Sequence, residues 1–193
     1  MNVCVFYYDG FCEFEVVLAV NQFRENNIFS AALENRVYIS EEKQKFLPDK
    51  TIQELNSDDI DLFIIPGGDS TILYEKTELR EFISKLNEKN KYIAGICGGA
   101  ELMAYYGLLD NKMANGDSEG FKVGEKNKKI YEKVIIVDED VTRDGNCITS
   151  IGKAYVEFAI ELGKVMNIYK NDDEIRHDYN WLKNNKVWRY YIK

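Results

Sequence analysis

The sequence predicts an α/β fold: a three-layer sandwich with a mostly parallel central sheet and a cysteine on a sharp strand-to-helix turn. Short apolar runs alternate with helix-length stretches over residues 2–168, and this alternation requires crossover connections between parallel strands. Glycine-rich turns follow three of the apolar runs, at residues 9–10, 66–68 and 97–99. Because ligands bind outside the carboxyl ends of parallel strands, these turns are where we expect the functional site.

The first part of the chain contains five predicted strands and three predicted helices. The helix at 78–90 is amphipathic, since its apolar residues recur at helical spacing. The helix at 13–26 has apolar residues on more than one side and is expected to be well buried. The remaining elements of this part are strands at 2–8, 28–33, 36–40, 61–65 and 91–96 and a helix at 98–107.

The later part of the chain is less regular. Residues 133–138 and 146–150 are predicted to be strands of a hairpin-like excursion that turns at Asp144-Gly145, and 153–168 to be the last main helix. We therefore place one domain at 1–169. Residues 170–193 form an aromatic extension that begins with helical spacing, and we expect it to pack on the domain or on a second subunit.

Composition limits the function. The 193 residues carry a net charge of −8, which disfavours nucleic acid as a partner. No apolar stretch reaches the ~18 residues that a membrane span needs, and the first residues do not resemble a signal peptide, so a cytoplasmic location is expected. The four cysteines are then expected to be free thiols. Their wide spacing, and the presence of only one histidine in the sequence, exclude a zinc site built from cysteines and histidines.

The most informative segment has the form Gly-x-Cys-x-Gly between a predicted strand and a predicted helix, with Cys97 at its centre. A sharp turn of this kind is a nucleophile elbow, and small neighbours such as Gly95, Gly98 and Gly99 tolerate the close approach of the backbone. The helix N-terminus favours a thiolate over a thiol, and its free N–H groups can receive an oxyanion. The alternative is a buried structural cysteine on a tight turn.

Three motifs in order resemble the DJ-1/PfpI superfamily of class I glutamine-amidotransferase-like proteins. They are the strand–helix junction at 9–15, the strand at 61–68 that ends in a double glycine, and the elbow at 94–100. A weaker match is the late strand at 144–150. Together the motifs extend over roughly residues 2–168.

The resemblance implies a flavodoxin-like sandwich, a homodimer and no cofactor. It also implies that Cys97 is the nucleophile or oxidisable thiol and that Glu15 is a protonated carboxyl beside it. The backbone N–H groups of Gly68 and Gly98 would form the oxyanion pocket. Periodicity alone leaves a second interpretation of Glu15 open, as a solvated residue in the first turn of a helix.

The chain departs from the resemblance at one position. Many members of the superfamily have a histidine about twenty residues after the cysteine, and here Asp117 falls roughly at that place. The only histidine, His177, lies in the C-terminal extension and is expected to be a solvated helix residue, unless the extension folds back or reaches a partner subunit. A Cys–His pair therefore cannot form from the usual positions of the superfamily.

The other candidate residues point to structure more than to chemistry. Cys4 and Cys147 lie in apolar strands and are expected in the core, whereas Cys12 is expected to be accessible, with a secondary redox role as one alternative. The acidic run 138–140 is more typical of a solvated turn than of a metal site.

Three functions fit the sequence. The first is an enzyme whose Cys97 thiolate attacks a small electrophile in amidase, glyoxalase or isocyanide-hydratase chemistry, with Glu15 as the proton donor. Peptide hydrolysis is its least favoured form, because no histidine is placed to protonate a leaving amine. The second is a redox or stress sensor in which Cys97 is oxidised to sulfenic and sulfinic acid. The third is a glutamine-amidotransferase-like binding module without catalysis.

Overall fold

A computed structural model describes residues 1–115 and 127–183. Its strands are β1 (Asn2–Phe6), β2 (Asn27–Ala32), β3 (Tyr38–Ile39), β4 (Lys45–Phe46), β5 (Lys50–Thr51), β6 (Leu62–Ile65), β7 (Tyr92–Ile96), β8 (Met113–Ala114), β9 (Ile135–Ile136), β10 (Val141–Asp144) and β11 (Cys147–Ser150). Its α-helices are α1 (Phe14–Gln22), α2 (Thr77–Glu88), α3 (Gly98–Tyr105), α4 (Tyr155–Val165) and α5 (Asp172–Lys183). Short 3₁₀ helices are at Ile52–Glu54, Ser57–Asp59, Ser70–Leu73 and Gly152–Ala154.

Seven strands form the central sheet in the order β10-β11-β7-β6-β1-β2-β5. All neighbouring pairs in this sheet are parallel except β10 and β11 at the edge. The chain proceeds from β1 to β2 in one direction and later adds β6, β7 and β11 in the other, so the strand order switches between β1 and β6. The predicted fold class is confirmed, and the switch point lies where such sheets bind ligands.

The sheet buries both of its faces, because alternate residues of each strand point to opposite sides. On one face Cys4 and Phe6 of β1 pack with Phe63, below α2 and α3. On the other face Val3 and Val5 pack below α1 and α4. The two apolar clusters are the reason that the strands are apolar throughout instead of alternating with polar residues.

Helix α1 is only half buried, which corrects the expectation of a well-buried helix. Val16 and Ala19 face the sheet, but the side chains of Phe14 and Val17 are 48% and 49% exposed. Phe14 meets the ring of Tyr155 edge-on, with 5.6 Å between the ring centroids. Phe14 and Val17 therefore form an apolar patch on the surface of this chain.

The predicted hairpin in the later part of the chain is real, but its first strand was assigned wrongly. The partner of β11 is β10, which turns at Gly145, and residues 133–138 contribute only β9. Strand β9 pairs in parallel with β8 instead. The sequence Val141–Asp144 is short and has only one apolar residue, so it lacks the apolar pattern used to predict strands.

Helix α5 packs along α4. Tyr179 donates a hydrogen bond of 2.9 Å to the Glu157 carboxylate, and Lys183 binds the same carboxylate. Before α5, the hydroxyl of Tyr169 donates a hydrogen bond of 2.9 Å to the Gln22 side chain. The rest of the aromatic extension, 184–193, lies outside the described residues. Within residues 1–115 and 127–183, no helix has the length and apolar character that crossing a membrane requires.

Candidate active site

Cys97 occupies the turn between β7 and α3. Its backbone is in the left-handed region, with φ of 54°, and its N–H donates a hydrogen bond of 2.8 Å to the carbonyl of Ser150. A non-glycine residue in this region costs on the order of 1–3 kcal/mol, and such strain persists where the surroundings fix it. The thiol is held at the N-terminal cap of α3, at the edge of the sheet where β7 ends.

The elbow requires glycine at its neighbours. A Cβ on Gly98 would overlap the carbonyl oxygen of Gly68, and one on Gly99 would overlap that of Ile65. At Gly95 a Cβ would lie 2.7 Å from the Met103 sulfur. These contacts bring the first turn of α3 directly against the segment that follows β6.

Glu15 reaches the same place from the first turn of α1. Its side chain is only 2% exposed, and Oε2 accepts a hydrogen bond of 2.8 Å from the N–H of Gly67. The carboxyl group also lies beside the Cys97 side chain, and the two groups shift each other's pKa. The interpretation of Glu15 as a solvated first-turn residue is therefore wrong.

The double glycine after β6 lies between these two groups. Gly68 has φ of +111°, which few other residues adopt, and it pairs with Phe11 in an isolated antiparallel bridge. The N–H groups of Gly68 and Gly98 both act to lower the pKa of the Cys97 thiol. These are the two donors that the resemblance assigns to the oxyanion pocket.

Sequence analysis placed Gly67 in a turn of the expected site without a role of its own, and it missed Gly152. A Cβ on Gly67 would overlap the Glu15 carboxylate, so this position must be glycine. A Cβ on Gly152 would lie 2.7 Å from Oε1 of Glu15 and 3.3 Å from the Cys97 sulfur. Gly152 follows β11 just as the double glycine follows β6. A glycine directly after a predicted strand was therefore the feature of the sequence that could have indicated its place in the site.

The thiol and the carboxyl group hold their protons more tightly than isolated groups do. Burial raises the pKa of Glu15 to about 7, although the hydrogen bonds from Gly67 and Cys97 act in the opposite direction. Burial, and next the charge of Glu15, raises the pKa of Cys97 to about 12, against the N–H donors of Gly98 and Gly68. The expected preference for thiolate at a helix N-terminus is therefore outweighed, first by burial and next by the charge of Glu15.

Cys97 is partly exposed, and the other three cysteines are buried. The expectation of an accessible Cys12 is wrong: the residue is 6% exposed, and its thiol donates a hydrogen bond of 2.7 Å to Glu41. Burial and this hydrogen bond raise the pKa of the Cys12 thiol. Cys4 and Cys147 are core residues, as predicted.

The described part of the chain brings no histidine to Cys97. The His177 side chain is 69% exposed on α5, beside Asp178 at 3.4 Å. It lines a cavity of about 610 Å³ together with Met1 and Gln22. Met1 precedes β1, so this cavity lies at the edge where the parallel strands begin, opposite to Cys97. Asp117, the residue predicted near the usual histidine position, lies outside the described residues.

Curated relatives share parts of the sequence. A protein from Bacillus subtilis named "Uncharacterized protease YdeA" is 35% identical over 98 residues, which cover 50% of this chain and 48% of that protein. "Protein dj-1beta" of Drosophila melanogaster is 28% identical over 62% of this chain and 63% of its own length. The "Deglycase PfpI" of Pyrococcus furiosus is 25% identical over 72% of this chain and 83% of its own length. The chain thus matches about half of the first relative's length and under two thirds of the second's.

Solved structures share the fold. A thiJ/pfpI family protein from Bacillus anthracis superposes with a TM-score of 0.84 at 18% identity, covering 99% of this chain and 95% of that one. Drosophila melanogaster DJ-1beta superposes with a TM-score of 0.79 at 21% identity, covering 94% and 96%. The sequence profile of the DJ-1/PfpI family matches residues 1–164, the part that contains the elbow and its neighbours. The chain therefore belongs to the DJ-1/PfpI family.

Proposed function

We propose that the protein is a cysteine-dependent enzyme that acts on a small electrophile, with Cys97 as the nucleophile and Glu15 as the acid and base. One observation carries the proposal. The only partly exposed thiol of the chain lies beside a carboxyl group that is 2% exposed and whose pKa burial raises to about 7. Carboxyl groups tuned in this way are typical of general acid–base catalysts.

Glu15 replaces the absent histidine in the proposed mechanism. Because burial raises its pKa to about 7, the group is a carboxylate in a large fraction of molecules at neutral pH yet basic enough to take a proton. It accepts the proton of the Cys97 thiol as the sulfur–carbon bond forms. The thiol therefore does not have to ionise beforehand, which its raised pKa would oppose.

The electron pair of the attacked carbonyl moves to its oxygen, which accepts hydrogen bonds from the N–H groups of Gly68 and Gly98. Glu15 then returns its proton. With an aldehyde, the proton goes to this oxygen and gives a hemithioacetal. With an ester or amide, it goes to the leaving group, and an acyl-enzyme on Cys97 remains for water to hydrolyse.

Aldehydes and activated esters are the favoured substrates. A leaving amine needs a strong proton donor, and His177 lies at the opposite edge of the sheet in this chain. Two archaeal relatives carry the name deglycase, which supports carbonyl chemistry of the glyoxalase type over peptide hydrolysis. The names of the bacillary relatives include protease, and the absence of a histidine beside Cys97 in the described residues argues against that activity here.

A substrate panel tests the proposal. It comprises a 2-oxoaldehyde, an activated ester, a primary amide and an isocyanide, each assayed with the unaltered protein, Cys97→Ser, Glu15→Gln and His177→Ala. We expect turnover of at least one member of the panel. Cys97→Ser should abolish it, Glu15→Gln should lower kcat about 100-fold or more, and His177→Ala should leave it unchanged. Turnover that persists in Cys97→Ser would refute the assignment.

Oxidation of Cys97 is the second candidate function, and the same geometry favours it. A peroxide would convert the thiolate to sulfenic acid with release of an alcohol or water, and a second equivalent would give the sulfinic acid. A protonated Glu15 and the N–H groups of Gly68 and Gly98 are three donors suited to sulfinate oxygens. Stable sulfinate at Cys97 under mild peroxide, without turnover of any panel member, would favour the sensor.

We also propose that the chain acts as a cytoplasmic homodimer in which residues 1–169 form the catalytic domain. Two apolar surfaces could meet a second copy: the patch at Phe14 and Val17 on α1, and the Trp181 side chain on α5, which is 48% exposed. Large apolar side chains exposed to this extent often mark an interface.

A further inference from the structure

The turn between β3 and β4 carries two carboxylates toward the site. It is fastened to the segment that leads into α1 by two backbone hydrogen bonds. The N–H of Gly10 donates to Ile39 at 2.8 Å, and the N–H of Glu41 donates to Phe11 at 2.9 Å. The turn therefore has a fixed position beside the residues that precede Glu15.

Both carboxylates of the turn are directed at that segment. Oε2 of Glu41 accepts the Cys12 thiol proton at 2.7 Å, and Oε2 of Glu42 accepts the N–H of Glu13 at 3.1 Å. These contacts hold the negative charges in place instead of leaving them free to move in solvent.

Short contacts connect this acidic turn to the reactive pair. The N–H of Cys12 donates to the carbonyl of Gly67 at 2.9 Å, and the N–H of Gly67 donates to Glu15 at 2.8 Å. Glu41 and Glu42 both raise the pKa of Glu15, in addition to its burial, so their fields reach the site.

The side chains whose charges act most strongly on the reactive pair are all acidic. They are Glu41 and Glu42 for Glu15, and Glu15 for Cys97. Two cations adjoin these segments in the sequence, Lys43 in the same turn and Lys153 directly after Gly152. Both residues are exposed to solvent, and neither is among the charges that act most strongly on Glu15 or Cys97.

We infer that Glu41 and Glu42 make the Cys97 site select cationic or neutral electrophiles, such as aldehydes and esters that carry an amine, over anionic ones. A fixed negative potential concentrates cations at the thiol and keeps carboxylates, phosphates and sulfonates away. The inference rests on the proposed function, because it concerns the substrates of the same thiol.

Charged thiol reagents test this selectivity without knowledge of the substrate. Three methanethiosulfonates transfer a trimethylammonioethylthio, a methylthio or a sulfonatoethylthio group to the sulfur, forming a mixed disulfide and releasing methanesulfinate. The rate of reaction at Cys97 is measured by peptide mapping in the full-length chain. For the cationic and for the anionic reagent, this rate is divided by the rate at which the same reagent reacts with free cysteine, which gives a corrected rate.

At about 10 mM salt we expect the corrected rate of the cationic reagent to exceed that of the anionic reagent by about tenfold. The negative potential at the thiol attracts the cationic reagent and repels the anionic one. Salt at about 0.5 M should reduce the ratio to below about threefold. In the double variant Glu41→Gln, Glu42→Gln the ratio should approach one. Glu88→Gln at the end of α2 removes a charge at the opposite edge of the sheet and should leave it unchanged.

A cation-to-anion ratio near one in the unaltered protein, or a ratio that the double variant does not change, would overturn the inference while leaving Cys97 as the nucleophile. Failure of Cys97 to react with the neutral methyl reagent would instead overturn the proposed function and the inference with it.

Discussion

The Glu15 carboxyl group and the Cys97 side chain meet at Gly67, where an added Cβ would overlap both, although 82 positions separate the two residues along the chain. Both groups are largely enclosed: the charge of Glu15 raises the pKa of Cys97, whereas the Cys97 thiol lowers the pKa of Glu15. Their titrations are therefore coupled, so the first proton is lost from the pair and not from one residue alone.

The pH dependence of Cys97 alkylation should report this pair. We expect the rate to rise through about pH 7, where the pair loses its first proton, and then to stay level, since the pKa of Cys97 itself is raised to about 12. In Glu15→Gln no base is present, so the step near pH 7 should vanish and the rate at pH 8 should fall. Stopped-flow alkylation with iodoacetamide from pH 5 to 10 measures both. A step near pH 7 that survives in Glu15→Gln would contradict the assignment.

Stability should fall as pH rises toward neutrality. The pKa of Glu15 is raised from 4.5 to about 7 by burial, so between these values the folded chain keeps a proton that the unfolded chain has released. Its contribution is full below pH 4.5, declines up to about pH 7 and is then constant. At about 1.36 kcal/mol per pKa unit the loss is on the order of 3 kcal/mol.

Urea unfolding at pH 5 and pH 8 measures this contribution. Other groups also titrate in this range, so the comparison is the difference between the unaltered protein and Glu15→Gln. We expect the unaltered protein to lose more stability than the variant on going to pH 8. An equal loss in both proteins would show that Glu15 does not hold its proton in the folded state.

Gly152→Ala should disable the site with a single methyl group. The new Cβ would lie 2.7 Å from Oε1 of Glu15 and 3.3 Å from the Cys97 sulfur, so the Glu15 carboxylate must move from its place beside the thiol. We expect the alkylation rate of Cys97 at pH 8 to fall at least about tenfold, since a small misplacement of reacting groups has effects of this order or larger. Gly163→Ala in α4 is the control: its Cβ would meet the Tyr169 ring at 2.7 Å, so it should lower the melting temperature and leave the alkylation rate unchanged.

Sedimentation equilibrium at micromolar concentration tests the homodimer. We expect a species of about twice the chain mass of 22.4 kDa. Val17→Asp places a charge in the apolar patch of α1, and Trp181→Ala truncates the exposed aromatic side chain of α5. The variant that shifts the equilibrium toward monomer identifies the interface, and a monomer in the unaltered protein would refute the prediction.

Features that depend on residues adjacent in the sequence could be predicted, whereas features that depend on contacts between distant segments could not. The elbow at Cys97 is local, since a strand, a glycine-rich turn and a helix are adjacent in the chain, and it was predicted from the residues alone. The partnership of Glu15 with Cys97 came only from the family resemblance, because periodicity cannot show that two strand ends meet.

The features that sequence analysis missed depend on contacts between distant segments. Gly152 joins the site because β11 pairs with β7, and Cys12 is buried because the turn with Glu41 closes over it. The short strand β10 was missed because pairing with β11, and not its own residue pattern, makes it a strand. In each case the local sequence lacks the information that the partner supplies.

The central claim is that Cys97 is the reactive thiol of this protein, and limited labelling of the native chain tests it most directly. A substoichiometric amount of iodoacetamide at pH 8, followed by denaturation, complete labelling with a second isotope and peptide mapping, gives the relative rate at each of the four cysteines. We predict that Cys97 is labelled at least about ten times faster than Cys4, Cys12 and Cys147, because it alone is partly exposed and has a base beside it. Faster labelling of any of the other three would contradict the account.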